Sequence, residues 1–117
     1  MAPDLDQLAT ALDTALRAVL DPEEYDVTRG AAGELDLSTD DWTLHLEGWP
    51  TGPAWLAIDD EPDDPSRYDA ARRAVMSEAV ERALAEADRA VDGALVRALQ
   101  AGGDPFSIDL ALALASG

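Results

Sequence analysis

The chain has 117 residues with 25 acidic side chains, eight arginines, no lysine and no cysteine, which gives a formal net charge of −17 at neutral pH. The absence of thiols excludes disulfides, thiolate nucleophiles and cysteine-ligated metals, and the negative charge disfavours direct contact with nucleic acid or anionic lipid. A hydrophobic content of 47% at this length predicts a single acidic domain over residues 1–117 with a buried core.

The acidity is concentrated in the first half of the chain. Residues 1–64 contain 17 Asp or Glu and two Arg, whereas residues 65–117 contain eight and six. The first residues carry no basic segment followed by an apolar one, and no apolar run approaches the roughly 18 residues of a membrane helix. We therefore expect a cytoplasmic protein that contacts no membrane and whose partner is another protein.

Apolar side chains at spacings of three and four predict an amphipathic helix over residues 4–20. Asp4 is placed as its N-cap, and Gln7 follows at the third helical position. The Asp21-Pro22 pair ends the pattern, because proline does not continue a helix.

Between residues 25 and 58 the apolar period changes to two, which is typical of half-buried strands. Turn-forming stretches at residues 30–33, 38–41 and 48–53 separate the alternating segments. The pattern predicts an antiparallel meander of three or four strands with one wet, acidic face. The apolar positions of these strands are Tyr25, Val27, Leu35, Leu37, Trp42, Leu44, Leu46, Leu56 and Ile58.

A charged, proline-containing linker at residues 59–65 precedes Ser66, the predicted N-cap of a long helix that reaches residue 101. A straight helix of that length would extend about 54 Å, which exceeds the dimensions of a compact chain of this size. Either Asp92-Gly93 kinks the helix, or its apolar stripe packs on a second subunit. The second alternative predicts a homodimer, which we adopt as the expected oligomeric state.

The tail after Gly102-Gly103 alternates apolar with polar or small residues from Phe106 to Ala115, which favours a strand. Its Leu and Ala content and its Asp104-Pro105 start favour a short helix instead. The strand is the slightly preferred interpretation. The predicted fold is therefore α+β: a helix, the meander, a long helix with a candidate kink, and a C-terminal strand or short helix, with the helices on one face of the sheet.

No catalytic, cofactor-binding or metal-binding residue is predicted. His45, the only histidine, faces the acidic side of its strand near Glu47, but spacing assigns it no nucleophile with a third orienting group. A surface histidine is therefore favoured over a general base. The acidic run at residues 59–64 is interrupted by proline and lacks the central glycine of a calcium loop, so a solvated linker is favoured over weak binding of divalent cations.

Two tryptophans and five carboxylates are the candidate partner-binding residues. Trp55 is out of phase with its apolar neighbours and Trp49 lies in a loop, so either is an exposed anchor or folds back over a helix. Carboxylates at alternate strand positions would form a dense negative surface, because such positions are about 7 Å apart. The candidates are Trp49, Trp55, Glu24, Asp26, Glu34, Asp36 and Glu47.

The order of elements resembles the type III secretion chaperone-like fold. The resemblance is carried by the first helix, by the strand segments Gly33-Glu34-Leu35-Asp36-Leu37, Trp42-Thr43-Leu44-His45-Leu46-Glu47 and Ala54-Trp55-Leu56-Ala57-Ile58, and by the second helix. Small, strongly acidic, dimeric members of that group are similar to this chain in character. The resemblance implies a non-catalytic chaperone or adaptor that holds an extended segment of another protein on hydrophobic patches.

Two further hypotheses remain open. The first is an acidic nucleic-acid mimic that occupies the basic groove of a DNA- or RNA-binding protein. The second is a stable acidic domain whose charge serves solubility or a saline cytoplasm. Salt separates the mimic from the chaperone, because an ionic complex weakens steeply as salt rises and an apolar one does not.

Overall fold

The computed structural model describes residues 4–31, 33–49, 51–58, 77–103 and 105–116. These residues form helix α1 (Leu5–Arg17), strands β1 (Tyr25–Arg29), β2 (Leu35–Thr39), β3 (Trp42–Leu46) and β4 (Ala54–Ile58), and helices α2 (Glu78–Ala90), α3 (Ala94–Gly102) and α4 (Pro105–Ser116). The predicted α+β class is confirmed, with the helices on one side of an antiparallel sheet.

The sheet has four strands in the order β1-β2-β3-β4, and each neighbouring pair is antiparallel. Burial alternates along β2, β3 and β4 as the apolar pattern predicts, and the buried side chains join those of the helices in one hydrophobic core. The opposite side of the sheet is called the outer face below. Its residues are Asp26, Thr28, Asp36, Ser38, Thr43, His45, Trp55 and Ala57, all exposed or half-buried.

Helix α1 begins where the sequence predicts, because the Asp4 carboxylate accepts a hydrogen bond from the Gln7 backbone N–H at 2.7 Å. Its apolar stripe is buried through Leu8, Leu12 and Leu16. The Gln7 side chain reaches another helix, donating to the Ala90 carbonyl at the end of α2 at 3.1 Å. This hydrogen bond ties the start of α1 to the end of α2.

The described part of the predicted long helix is divided into two helices, α2 and α3. Helix α2 begins after Ser77, whose backbone is extended and whose hydroxyl accepts from the Val80 N–H at 3.2 Å. The break predicted at Asp92-Gly93 is confirmed, since Gly93 has φ 78°, a conformation that favours glycine. The expected helix start at Ser66 and the linker at residues 59–65 lie outside the described residues.

A buried carboxylate supports the second of these helices. Gly93 precedes α3 and has no side chain with which to cap it, but the Asp88 carboxylate accepts from the Val96 N–H at 2.9 Å. Asp88 is itself buried, near the end of α2. One acidic side chain therefore holds the corner between α2 and α3.

The preferred strand prediction for the tail is wrong, because residues Pro105–Ser116 form α4. Burial follows helical spacing: Phe106, Leu110 and Leu114 are buried, whereas Ile108 and Leu112 are exposed. Leu and Ala are strong helix formers, and a proline at the first helical position is well tolerated. The alternation was uninformative because its second phase is mostly alanine, which fits a buried helix face as well as a strand.

The corner between α3 and α4 covers the edge of β4. The buried Ser107 hydroxyl accepts a hydrogen bond from the Leu56 N–H at 2.8 Å. Gly102 lies directly on the chain at Ala54, where a Cβ atom would collide with the Ala54 carbonyl oxygen. This arrangement protects an edge that could otherwise pair with another strand. None of the described helices is both long and apolar enough to cross a membrane.

Candidate functional site

A row of four side chains crosses the outer face, one from each strand. Thr28 pairs with Asp36, Asp36 pairs with His45, and His45 pairs with Trp55 in the successive strand registers. Directly opposed residues of antiparallel strands have neighbouring side chains on the same face. The sheet therefore brings a hydroxyl, a carboxylate, an imidazole and an indole into one line.

Three members of this row form a connected unit. The Nδ1 atom of His45 is bonded to Oδ1 of Asp36, in a pair whose side chains are 37% and 47% exposed, respectively. The same imidazole stacks on Trp55, with ring centroids 5.5 Å apart and planes 14° from parallel. Asp36 and Trp55 thus hold the His45 ring from two sides, and all three remain accessible from solvent.

A second row runs beside the first and consists of Asp26, Ser38, Thr43 and Ala57. Within β1 the Thr28 hydroxyl donates to the Asp26 carboxylate at 3.2 Å. Two carboxylates, Asp26 and Asp36, therefore lie within the strands on the outer face, with hydroxyls around them. The helices pack on the opposite side of the sheet, so the described helices leave both rows accessible.

The remaining predicted carboxylates lie outside the strands, at the ends of the sheet. Glu34 precedes Leu35 and Glu47 follows Leu46, and because Leu35 pairs with Leu46 both carboxylates lie at one end. Glu24 lies at the opposite end, where its carboxylate accepts from the Asp21 N–H at 3.2 Å. The structure brings Asp36 close to Trp55 through His45, with Asp26 in the adjacent row, and separates Glu24 from Glu34 and Glu47.

Trp49 is not the exposed anchor that its loop position suggested. Its side chain is 8% exposed and belongs to the hydrophobic core. The loop folds back because the Trp49 backbone N–H donates to the Gly33 carbonyl at 3.1 Å, joining the turn after β1 to the loop after β3. Trp55, which is half-buried, is the candidate tryptophan on the accessible surface.

Within the described residues, the Asp36–His45 pair makes no hydrogen bond to a nucleophilic hydroxyl. A carboxylate that orients an imidazole is one part of a hydrolytic site, which also requires a hydroxyl or thiol within reach of the ring. No Ser or Thr hydroxyl of the described residues is hydrogen-bonded to His45. The described residues also contain no group of three or more metal-ligating side chains. The acidic run at residues 59–64 is outside them.

Among the described residues, Tyr25 has a shifted pKa, and it lies on the helical side of the sheet. Burial raises the pKa of the Tyr25 hydroxyl, and the Asp13 carboxylate raises it further by accepting that proton's hydrogen bond at 2.7 Å. Arg17, which bonds the same carboxylate at 2.5 Å, opposes the increase. This contact joins α1 to β1 and takes no part in the outer face.

A groove of about 640 Å³ lies between α1 and α2. Its walls include Ala11, Ala15 and Ala90, with Asp6 and Glu86 among the acidic residues that line it. None of the predicted partner-binding residues lines this groove. The outer face and this groove are therefore separate surfaces.

The pairing of His45 with Asp36 was missed by sequence reasoning, which placed His45 near Glu47. The turn Asp40-Asp41 is the signal that could have revealed it. A two-residue hairpin connection sets Ser38 opposite Thr43 and Asp36 opposite His45, as observed. The stacking of His45 on Trp55 depends on the register of β3 with β4. The loop between these strands is longer, and its sequence does not predict that register.

Comparison of the chain with protein-family models, with curated proteins and with solved structures gives no match in any of the three.

Proposed function

We propose that this protein is a non-catalytic binding module whose outer face binds an arginine- or lysine-bearing segment of another protein. The observation that carries the proposal is the connected row of Asp36, His45 and Trp55, which offers an accessible carboxylate and an accessible indole on the two sides of one imidazole. This combination suits a side chain that has both a positive charge and an apolar stem.

The chemistry favours a cation at this position. A guanidinium or ammonium group beside a tryptophan ring gains about 0.5–2 kcal/mol from the cation–π interaction, depending on how far the site is desolvated. A carboxylate in reach adds a charge-assisted hydrogen bond, for which the planar guanidinium is the better donor. Asp36 and Asp26 supply two such acceptors within the outer face.

The charge of the whole chain supports the same partner. Residues 1–64, which include all four strands, contain 17 acidic residues and two arginines. A concentrated negative field raises the association rate of a basic partner and discourages acidic ones. The resemblance to type III secretion chaperones implies the holding of an extended segment of another protein, as this proposal does, but on hydrophobic patches and not on carboxylates.

The nucleic-acid mimic has weaker support. It requires a dense array of carboxylates, but only Asp26 and Asp36 of the predicted set lie within strands on the outer face. The β3–β4 side of the face is aromatic, at His45 and Trp55. A folded nucleic-acid-binding domain therefore serves as a second probe. A mimic should bind the basic groove of such a domain, whereas a module for extended segments should not.

The test measures the affinity of the full chain for an arginine-bearing peptide by calorimetry, at about 50 mM and about 500 mM salt. We expect W55A and D36N each to weaken binding by about three- to thirtyfold, in line with the cation–π and charged hydrogen-bond energies. The control is E86Q, which removes one negative charge from an exposed residue of α2 and should change the affinity by less than about twofold.

Two results would contradict the proposal. Equal weakening by D36N and E86Q would mean that the peptide senses only the total charge. Tight binding of a folded nucleic-acid-binding domain, unaffected by W55A, would favour the mimic. A pull-down from the source cell's lysate, washed in parallel at low and high salt, would then identify the natural partner.

A further inference from the structure

His45 is held by the same two side chains to which the proposed function assigns an incoming cation. Its Nδ1 atom is bonded to the Asp36 carboxylate, and its ring stacks on the Trp55 indole with the centroids 5.5 Å apart. The imidazole and the carboxylate are both accessible, so protons reach the pair from solvent. The single histidine of this chain therefore lies inside the proposed binding site.

The charged groups around this imidazole are carboxylates within the described part of the chain. Strand β3 is flanked by β2 and β4, and the outer-face residues of β4, Trp55 and Ala57, carry no charge. Arg29, the one arginine of the four strands, is bonded to Asp6 of α1. The titratable groups of the outer face and of its two ends are Asp26, Asp36, Glu34, Glu47, Glu24, Asp40 and Asp41. No cation of the strands therefore competes with His45 for the Asp36 carboxylate.

Protonation changes what this imidazole offers to its two neighbours. Histidine is the side chain whose charge ordinarily changes between about pH 5 and pH 8, a range in which carboxylates ordinarily remain ionised. A protonated ring makes a charge-assisted hydrogen bond to Asp36 and, stacked at this distance, a cation–π contact with Trp55. These are the two interactions that the proposed function assigns to an arginine. A protonated His45 thus supplies the site with a cation of its own.

We propose that His45 makes binding at the outer face pH-dependent: the neutral ring leaves Asp36 and Trp55 available to a cationic segment, and the protonated ring competes with that segment. This inference rests on the proposed function and adds its regulation. The competition is reciprocal, because a proton and a segment that oppose each other change each other's affinity by the same factor. The site therefore releases its partner as the pH falls.

The experiment measures the affinity of the full chain for an N-acetylated arginine peptide without histidine, by calorimetry between about pH 8 and pH 5.5. We expect the wild-type affinity to fall by about tenfold over this range, in line with the loss of a cation–π contact. Near pH 6 the wild type should also release protons on binding, which makes the measured heat depend on the buffer. H45Q cannot be protonated at this position, so the ratio of its affinities at the two pH values should stay within about twofold.

H45Q also controls for the chain's amino terminus and carboxylates, which it retains. A second readout needs no peptide: in the free chain, the Trp55 indole resonance should move over the same pH range in wild type and stay fixed in H45Q. Binding at pH 8 with equal pH dependence in the two proteins would overturn the inference and leave the proposed function standing. A Trp55 resonance that does not respond to pH would overturn it as well. An absence of binding at every pH would instead refute the proposed function, and this inference with it.

Discussion

The two accessible surfaces of this molecule differ in what they expose and in how they are built. The outer face of the sheet exposes carboxylates, hydroxyls and a stacked His45–Trp55 pair, whereas α4 exposes Ile108 and Leu112. The first surface suits a cationic partner, and the second suits an apolar one. Because salt screens ionic contacts and leaves apolar ones largely intact, only binding at the outer face should weaken steeply as salt rises.

The acidic residues of this chain are unevenly distributed between its two halves. The sheet half is strongly acidic, and the half that supplies α2, α3 and α4 is nearly balanced. The proposed function accounts for this division, because it concentrates the negative charge in the half of the chain that carries the outer face.

The largest expected effect on stability is at a buried leucine of α4, which we compare with an exposed leucine of the same helix. Leu110 is fully buried and Leu112 is 59% exposed, although only two residues separate them. We expect L110A to lower the free energy of unfolding by about 2–5 kcal/mol, because it leaves a cavity in the core. The matched variant L112A should change it by about 0.5 kcal/mol or less, measured by urea denaturation at a protein concentration where the chain is monomeric.

This pair also tests the conformation of the tail. In a strand, residues 110 and 112 would lie on the same face and their variants would have similar effects. Similar losses in the free energy of unfolding for L110A and L112A would therefore contradict the helical conformation of α4.

The next largest effect on stability is expected at the hydrogen bond between β4 and α4. S107A removes the hydroxyl that accepts the Leu56 N–H, leaving a buried donor without its partner. We expect a loss of about 1–3 kcal/mol in the free energy of unfolding. The control is S38A on the outer face, where the side chain is half-buried and the change should remain within about 0.5 kcal/mol. An equal effect at both serines would mean that Ser107 does not hold the edge of β4.

A smaller effect is expected at the corner that leads into α3. D88A removes the carboxylate that accepts the Val96 N–H, which is equivalent to the loss of a helix N-cap and should cost about 0.5–2 kcal/mol. D88N retains an acceptor oxygen and should recover part of this loss. Thermal unfolding of the two variants measures the difference, and identical midpoints for D88N and D88A would exclude the capping role.

The smallest expected effect is a pH dependence of stability that arises from Tyr25, on the helical side of the sheet. The pKa of Tyr25 is raised by burial and by Asp13, so its contribution to stability is complete below the unfolded tyrosine pKa of about 10 and declines as pH rises above it. The chain has no lysine and no cysteine, so tyrosines dominate titration in this range. We expect wild type to lose more stability than Y25F between about pH 9 and pH 11.5. Parallel declines would show that Tyr25 does not contribute.

Much of the fold could be predicted from the residues themselves. Apolar alternation located all four strands, and it assigned the outer face correctly for Asp26, Asp36 and Trp55. The capping residue Asp4 and the break at Gly93 were predicted because each depends on a local conformational preference. Local chemistry is visible in sequence wherever the relevant partners are only a few residues apart.

The failures occurred where distant contacts decide the outcome. In α4 three of the five residues in the second phase of the alternation are alanines, which suit a helix as well as a strand, so period could not distinguish the two. Trp49 lies in a loop, where no periodicity indicates burial, and its position depends on a contact with the turn at Gly33. The site was predicted in part for the same reason: the pattern gives the face, but the neighbours of His45 depend on strand register.

The central claim is that the outer face, through Trp55, binds a cationic segment. The most direct test records the indole N–H resonances of the three tryptophans in a proton–nitrogen correlation spectrum while an arginine-bearing peptide is added. Trp42 and Trp49 are buried in the core, and Trp55 lies on the outer face. We predict that the Trp55 indole resonance moves and that those of Trp42 and Trp49 do not. A static Trp55 resonance, with shifts confined to residues of α2, α3 or α4, would contradict the account.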